Sequence, residues 1–199
     1  MGGFIKSIQT EYNGYHFRSL TEARWAVFFD ELGIKYMYEP EGYEMSDGTK
    51  YLPDFYLPES NTFFEAKGIM TDIDMHKIEQ LQGDLGVAVV IGYSDMTFQA
   101  SDWWEENVFS ITDKDCSYLA KCPKCNRYFF FGGTGTYACQ CCRFYDGDSV
   151  FCDDVIRGDL GDDFTYKEKK AYSAIKKARY ARFDHNQNPK YVDPFSKPY

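Results

Sequence analysis

Apolar positions recur at helical spacing between Ser19 and Leu32, where Trp25, Ala26, Phe29 and Leu32 fall on one stripe and Gly33 follows as a stop. The spacing predicts a helix there. From Lys35 to Met45 the pattern becomes extended, with Tyr36, Tyr38 and Tyr43, and Ser46-Asp47-Gly48 predicts a turn into a second extended run, Thr49 to Leu57. The two runs are expected to pair as a hairpin. After a further turn at Pro58 to Asn61, Thr62 to Lys67 reads as a third strand ended by Gly68. Asp72 to Gln82 carries Ile73, Ile78 and Leu81 on a helical stripe, and Val87 to Ile91 is an unbroken apolar run of the kind found in buried strands. The order α-β-β-β-α-β predicts an α/β fold, a mixed sheet with helices on it.

Beyond this half the pattern weakens. Trp103 to Leu119 has no clear period, Cys122 to Cys142 forms a module of its own, and residues 146–164 are an Asp- and Gly-rich connection. Tyr166 to Phe183 predicts a second strong helix, with Ala171, Ile175, Ala178 and Ala181 or Arg182 on one stripe and lysines on the other. The expected organisation is a core at 10–112, a cysteine module at 116–144, a connection and basic helix at 145–185, and a tail at 186–199 marked by Pro189, Pro194 and Pro198.

Composition narrows the class. A chain of 199 residues with 44% hydrophobic and 19% aromatic content buries a sizeable core, which excludes wholesale disorder. The longest aliphatic run is too short to span a bilayer and the N-terminus lacks the apolar segment of a signal peptide, so a cytoplasmic protein without membrane contact is expected. The net charge of -9 argues against coating nucleic acid by bulk electrostatics, so any phosphate contact must be local. Basic residues gather between Lys167 and Arg182 and acidic ones between Tyr145 and Asp163, and the two blocks offset each other.

The third predicted strand, Thr62-Phe63-Phe64-Glu65-Ala66-Lys67, has a period of two that puts Glu65 and Lys67 on one face of an element otherwise fit for burial. Asp54 stands directly after Pro53 in the preceding strand, where the missing backbone donor marks a break or an edge. If the two strands are neighbours, Asp54 and Glu65 converge on one divalent cation, with the oxygen donors that Mg²⁺ or Mn²⁺ accepts. Glu22 lies on the stripe of the first helix that faces the sheet, yet Ser19-Leu20-Thr21-Glu22 is also a capping box.

Glu22 in a helix, then Pro53-Asp54, then Glu65-Ala66-Lys67 on a strand resembles the PD-(D/E)xK phosphodiesterase superfamily, and Phe17 to Gly68 resembles small phage or prophage members of it. The likeness covers about the first 92 residues. It implies a restriction-endonuclease-like αβββαβ core and a metal-dependent nuclease, with DNA the expected partner ahead of RNA. By the same resemblance Asp54 and Glu65 hold Mg²⁺ or Mn²⁺ with the Ala66 carbonyl, Glu22 tunes or ligates the ion, and Lys67 orients water or stabilises phosphate charge. Lys77 or Gln80 on the second helix is a further contact to such a site. The competing expectation is a catalytically inert relative that binds nucleic acid or a partner protein, such as a phage factor directed against a host defence.

Seven cysteines, six of them between Cys116 and Cys142, do not fit a disulfide framework for the whole chain. Cys122-Pro-Lys-Cys125 and Cys139-Gln-Cys141-Cys142 supply two C-x-x-C pairs, a spacing suited to tetrahedral Zn²⁺ and to a small zinc ribbon built as strand, turn and strand. Cys141 competes with Cys142 for the fourth place, and Cys142 restores the knuckle spacing. Zinc here is expected to be structural, with Arg127 and Arg143 open to a nucleic-acid or protein partner.

Overall fold

A computed structural model describes residues 8–104, 108–133, 138–145, 155–161, 169–183 and 190–191. Most of the expected acidic connection, the second expected ribbon strand at Thr136-Tyr137 and residues 192–199 of the tail lie outside the described residues.

The first element is one that the apolar pattern did not announce. β1 (Thr10–Tyr12) and β2 (Tyr15–Phe17) pair as a hairpin through Asn13-Gly14, both at positive φ. Asn-Gly is the pair that such a two-residue turn favours. α1 (Leu20–Leu32) follows, capped by Ser19 at its start and by Gly33 at φ 74 at its end.

The expected hairpin of 35–57 is present but broken in the middle. β3 (Met37–Tyr38) pairs with β6 (Phe55–Leu57), and β4 (Tyr43–Glu44) pairs with β5 (Lys50–Tyr51), in two separate ladders. Pro40 and Pro53 sit in the gap, where each removes a ladder donor. Glu39 bridges it in a left-handed conformation, φ 45, with its N–H on the Asp54 carbonyl at 2.8 Å.

β7 (Thr62–Lys67) lies antiparallel to β6 and parallel to β8 (Ala88–Tyr93), the latter reached through α2 (Asp72–Leu85). The stretch without a clear period is β-structure: β9 (Phe98–Trp104), β10 (Val108–Ile111) and β11 (Ser117–Lys121). The main sheet runs β10-β9-β8-β7-β6-β3. β12 (Tyr128–Gly132) pairs with β11, and β13 (Val155–Arg157) pairs with its other edge, forming a second sheet β12-β11-β13.

The two faces of β7 divide the interior. Phe64 and Ala66 join Trp25, Phe28 and Phe29 of α1 and Phe55 of β6, whereas Phe63 joins Ile78 and Leu81 of α2 with Val89 and Ile91 of β8. Phe130 of β12 and Ile156 of β13 belong to the α1-side core, so the strand that follows the first cysteine turn is packed into the main body of the fold. α3 (Lys169–Arg179) adds Ala171, Ala174, Ile175 and Ala178 to the same core and pairs Lys177 with Glu31 at 2.6 Å. Its helix stops sooner than the stripe predicts. Ala181–Arg182 is β14, paired with β15 (Lys190–Tyr191) from the expected tail. Ile73, expected on the buried stripe of α2, is 69% exposed instead.

Gly92 on β8 is a tightly packed point of this core. A Cβ there would meet the Phe64 ring and lie 2.5 Å from Trp25 Cε2. Gly92→Ala is expected to cost about 1–3 kcal/mol through overpacking, read as a lower urea midpoint at unchanged slope. Among the described residues, no helix is long and apolar enough to cross a membrane.

Candidate functional site

Strand alternation sends Phe64 and Ala66 towards α1, so Glu65 and Lys67 project on the α2 side of the sheet. Extending the register Phe55↔Phe64 by one pair sets Asp54 across from Glu65. The two strand segments clasp each other: Asp54 N donates to Glu65 Oε1 at 3.1 Å, and Ala66 N donates to Asp54 Oδ2 at 2.9 Å. Both carboxylates are buried, Glu65 at 0% and Asp54 at 4% exposure. Such burial is costly for ions unless charge of the other sign meets them.

Lys67 supplies part of that charge. Its Nζ lies 3.1 Å from Glu65 Oε2, 4.0 Å from Asp54 Oδ2 and 3.9 Å from Asp74 Oδ1. Arg18 supplies the rest, with Nη2 at 2.8 Å from Asp54 Oδ1 and Nε at 2.6 Å from Glu39 Oε1. The carboxylates Glu22, Glu39, Asp54, Glu65 and Asp74 still outnumber these two cations. Burial, then the neighbouring Glu65, push the Asp54 carboxyl well above its ordinary pKa. Glu65 is pushed up by its own burial against the pull of Lys67. Burial on its own would lower the Lys67 ammonium, but Glu65 and Asp54 outweigh it and hold its pKa above the usual lysine value.

A cation would find acceptors here. Glu65 Oε2 is buried with the Lys67 ammonium at 3.1 Å as its counter-charge. Each Asp54 oxygen has one protein hydrogen bond and two lone pairs. The donor set therefore fits a hard divalent ion.

Glu22 is buried, but its oxygens are committed elsewhere. Oε1 accepts from Ser19 Oγ at 2.7 Å, and Oε2 accepts from Tyr38 Oη at 2.6 Å and Arg18 N at 3.0 Å. Glu22 N in turn donates to Ser19 Oγ at 3.2 Å, so the residue closes the start of α1 and fixes the backbone of Arg18. Its charge adds to the rise of the Asp54 carboxyl, and Arg18, whose backbone it holds, bonds Asp54 directly. Lys77 lies 5.9 Å from the centre of the Tyr51 ring, and Tyr51 stands against Glu65, whose charge together with burial raises the phenol pKa. The Gln80 side chain makes no hydrogen bond among the described residues. Sequence reasoning missed Arg18, Tyr51 and Asp74, which arrive from elements whose mutual packing no local pattern encodes. The signal for Asp74 was Thr71-x-x-Asp74, a capping box that pins the first turn of α2 beside Lys67.

The second cluster lies at the other end of β7. Cys122, Cys125, Cys139 and Cys142 bring their sulfurs within 4.8 Å of one another, and these four thiols could bind a metal such as zinc. Two contacts, Cys122 to Cys142 and Cys125 to Cys139, are 3.8 Å, close to the edge of a tetrahedron with metal–sulfur bonds of about 2.3 Å. The two C-x-x-C turns are built alike. Cys122 N donates to Arg127 O and Asn126 N to Cys122 O, while Cys139 N donates to Phe144 O and Arg143 N to Cys139 O. Asn126 and Arg143 take matching positive φ values of 58 and 60. This equivalence selects Cys142 over Cys141, whose sulfur contacts Tyr128 O at 3.6 Å. Gln140 touches Thr62 at 3.3 Å and Arg127 reaches Glu59 at 3.5 Å, so the module grips the β6–β7 turn. From Thr62 to Glu65 the strand rises about 10 Å, which separates the cysteine module from the acidic cluster. Cys116 is a half-buried thiol, and Cys152 lies outside the described residues.

Comparison with protein-family models and with curated proteins finds no match to this chain.

Proposed function

We propose that the protein is a Mg²⁺- or Mn²⁺-dependent nuclease of the PD-(D/E)xK type, with a restriction-endonuclease-like core and DNA as its substrate. The observation that carries this reading is the buried set of Asp54, Glu65 and Lys67, an acid pair and an ammonium on adjacent strands. Structural ion pairs seldom bury two facing carboxylates, since one would be cheaper to replace by an amide.

In this reading Asp54 and Glu65 hold the ion, joined by the Ala66 carbonyl. When bound, the ion lowers the pKa of water and draws electron density from the phosphoryl group. The rest falls to the chain. Lys67, held protonated by the two acids, acts as a fixed positive charge for the phosphate oxygens as negative charge builds in the transition state. It is therefore a stabiliser and not the base that accepts a proton from water. Arg18 restrains Asp54, Glu22 restrains Arg18, and Asp74 restrains Lys67. Hydrolysis joins a water oxygen to phosphorus and releases one ester oxygen with a proton.

The test is incubation of zinc-loaded protein with labelled linear, branched and single-stranded DNA and with RNA, in Mg²⁺ or Mn²⁺. Lys67→Met should lower the rate on the order of a hundredfold or more in protein that still folds and keeps its zinc, although the melting temperature falls because the buried acids lose a counter-charge. Equal cleavage by Lys67→Met and wild type would remove the assignment. One observation favours a second reading, an inert nuclease-fold binder: the Arg18 guanidinium already sits 2.8 Å from Asp54 Oδ1. In that case no substrate is cut with either ion.

A further inference from the structure

The net charge of -9 and the surplus of carboxylates around Lys67 leave little long-range attraction for a polyphosphate chain. The cations at the site are spent locally, Arg18 on Glu39 and Asp54, and Lys67 on Glu65. A nucleic acid held here must draw its affinity from something other than phosphate.

Two apolar side chains stand at the rim. Ile69 is 83% exposed and Ile73 is 69% exposed, more than any other large hydrophobic among the described residues. Ile69 follows Lys67 by two residues, which limits their Cα separation to about 7 Å. Ile73 precedes Asp74, whose carboxylate returns to 3.9 Å from the Lys67 ammonium. Residues 68–73 therefore form an arch that leaves Lys67 and comes back to it. The arch is anchored: Thr71 and Asp74 exchange capping hydrogen bonds, and Met70 packs inward on the α2-side core. Ile69 and Ile73 are the parts left facing water.

Resting on the nuclease reading above, we propose that Ile69 and Ile73 form an apolar wedge against unstacked bases next to the scissile phosphate. The substrate is then a DNA strand with unpaired nucleotides, single-stranded or locally opened, and not an intact duplex. A duplex hides its base faces by stacking and offers an acidic protein mainly phosphate. An unpaired strand offers base faces as well, and covering Ile69 and Ile73 with them removes apolar surface from water, a gain that does not come from phosphate.

The experiment measures binding apart from cutting. Labelled single-stranded DNA, and the same sequence as a duplex, are titrated with zinc-loaded protein in Ca²⁺ across a salt series, by fluorescence anisotropy. The expected result is single-strand binding at least about tenfold tighter than duplex. Its loss between 50 and 200 mM salt should be under about tenfold, where a protein neutralising many phosphates loses on the order of 10³-fold or more. Ile69→Ser with Ile73→Ser should weaken single-strand binding about tenfold or more, with Ile69→Ser alone as the milder variant should the pair fail to fold. Because both residues are exposed, melting temperature should not fall. Duplex bound as tightly as single strand, or single-strand affinity indifferent to the substitutions, overturns the proposal, and the latter leaves the arch to a protein partner. Failure of the nuclease reading shows separately, as binding of single strands without cleavage in Mg²⁺ or Mn²⁺.

Discussion

Asp54→Asn is expected to abolish metal-dependent cleavage, by a factor on the order of 10³ or more, while making the protein more stable at pH 8 when no Mg²⁺ or Mn²⁺ is added. The two effects share one cause. Asp54 is a buried carboxylate facing Glu65, and its folded pKa lies well above the ordinary 3.8. Between those values the folded state binds more protons than the unfolded one, so the contribution of this group to stability falls as pH rises. Below about 3.8 the side chain is neutral in both states and resembles asparagine. The stability difference between variant and wild type should therefore be small in acid and open as pH rises through the folded pKa, with the variant the more stable at the top. Urea denaturation of the zinc-loaded proteins across this range reads the gap. A variant less stable than wild type at pH 8 would mean that the hydrogen bonds Asp54 accepts from Arg18 and Ala66 N, one of which an amide must lose, outweigh the relief of buried charge.

Cys139→Ser should unfold at least the second sheet, and Cys141→Ser should not. Structural zinc contributes roughly 10–16 kcal/mol of apparent binding free energy in small finger peptides, which rivals the roughly 5–15 kcal/mol that holds a whole domain. Cys139 is fully buried, and Phe130 on the strand that follows the first cysteine turn packs against Phe64 and Phe98. Loss of the metal is thus expected to reach the main core. Circular dichroism melts with elemental zinc analysis check this: about one zinc per chain in wild type and Cys141→Ser, and none, with a large fall in melting temperature, in Cys139→Ser. Zinc retained by Cys139→Ser, or lost from Cys141→Ser, would reassign the fourth ligand.

How much of this was legible depends on whether the signal was local. Glu65 and Lys67 share a face because strands alternate, and Pro53 flagged the break beside Asp54, so the acid pair and the ammonium could be read before any fold was known. The cysteine turns were legible for the same reason, since each lies within four consecutive residues. The N-terminal hairpin announced itself only by Asn13-Gly14, with no apolar alternation to support it. β9 escaped because polar residues in it are buried: Ser101 is 5% exposed and Asp102 6%, and Ser101 bonds to Gln82 and to the Val89 backbone. Buried polar groups erase the alternation that identifies a strand. Arg18 and Tyr51 join the acids only after β6 has paired with β7 and the broken hairpin has folded over. Ile73 misled in the opposite direction, an apolar residue in register with the stripe but placed before α2 reaches the sheet.

The most direct measurement is a titration of zinc-loaded protein with Mn²⁺, following free ion by electron paramagnetic resonance. Convergence of Asp54 and Glu65 on one acceptor site predicts about one Mn²⁺ bound per chain, with binding lost in both Asp54→Asn and Glu65→Gln and retained in Cys141→Ser. Equal Mn²⁺ uptake by wild type and Glu65→Gln, or no uptake at millimolar Mn²⁺ by folded wild type, would contradict it.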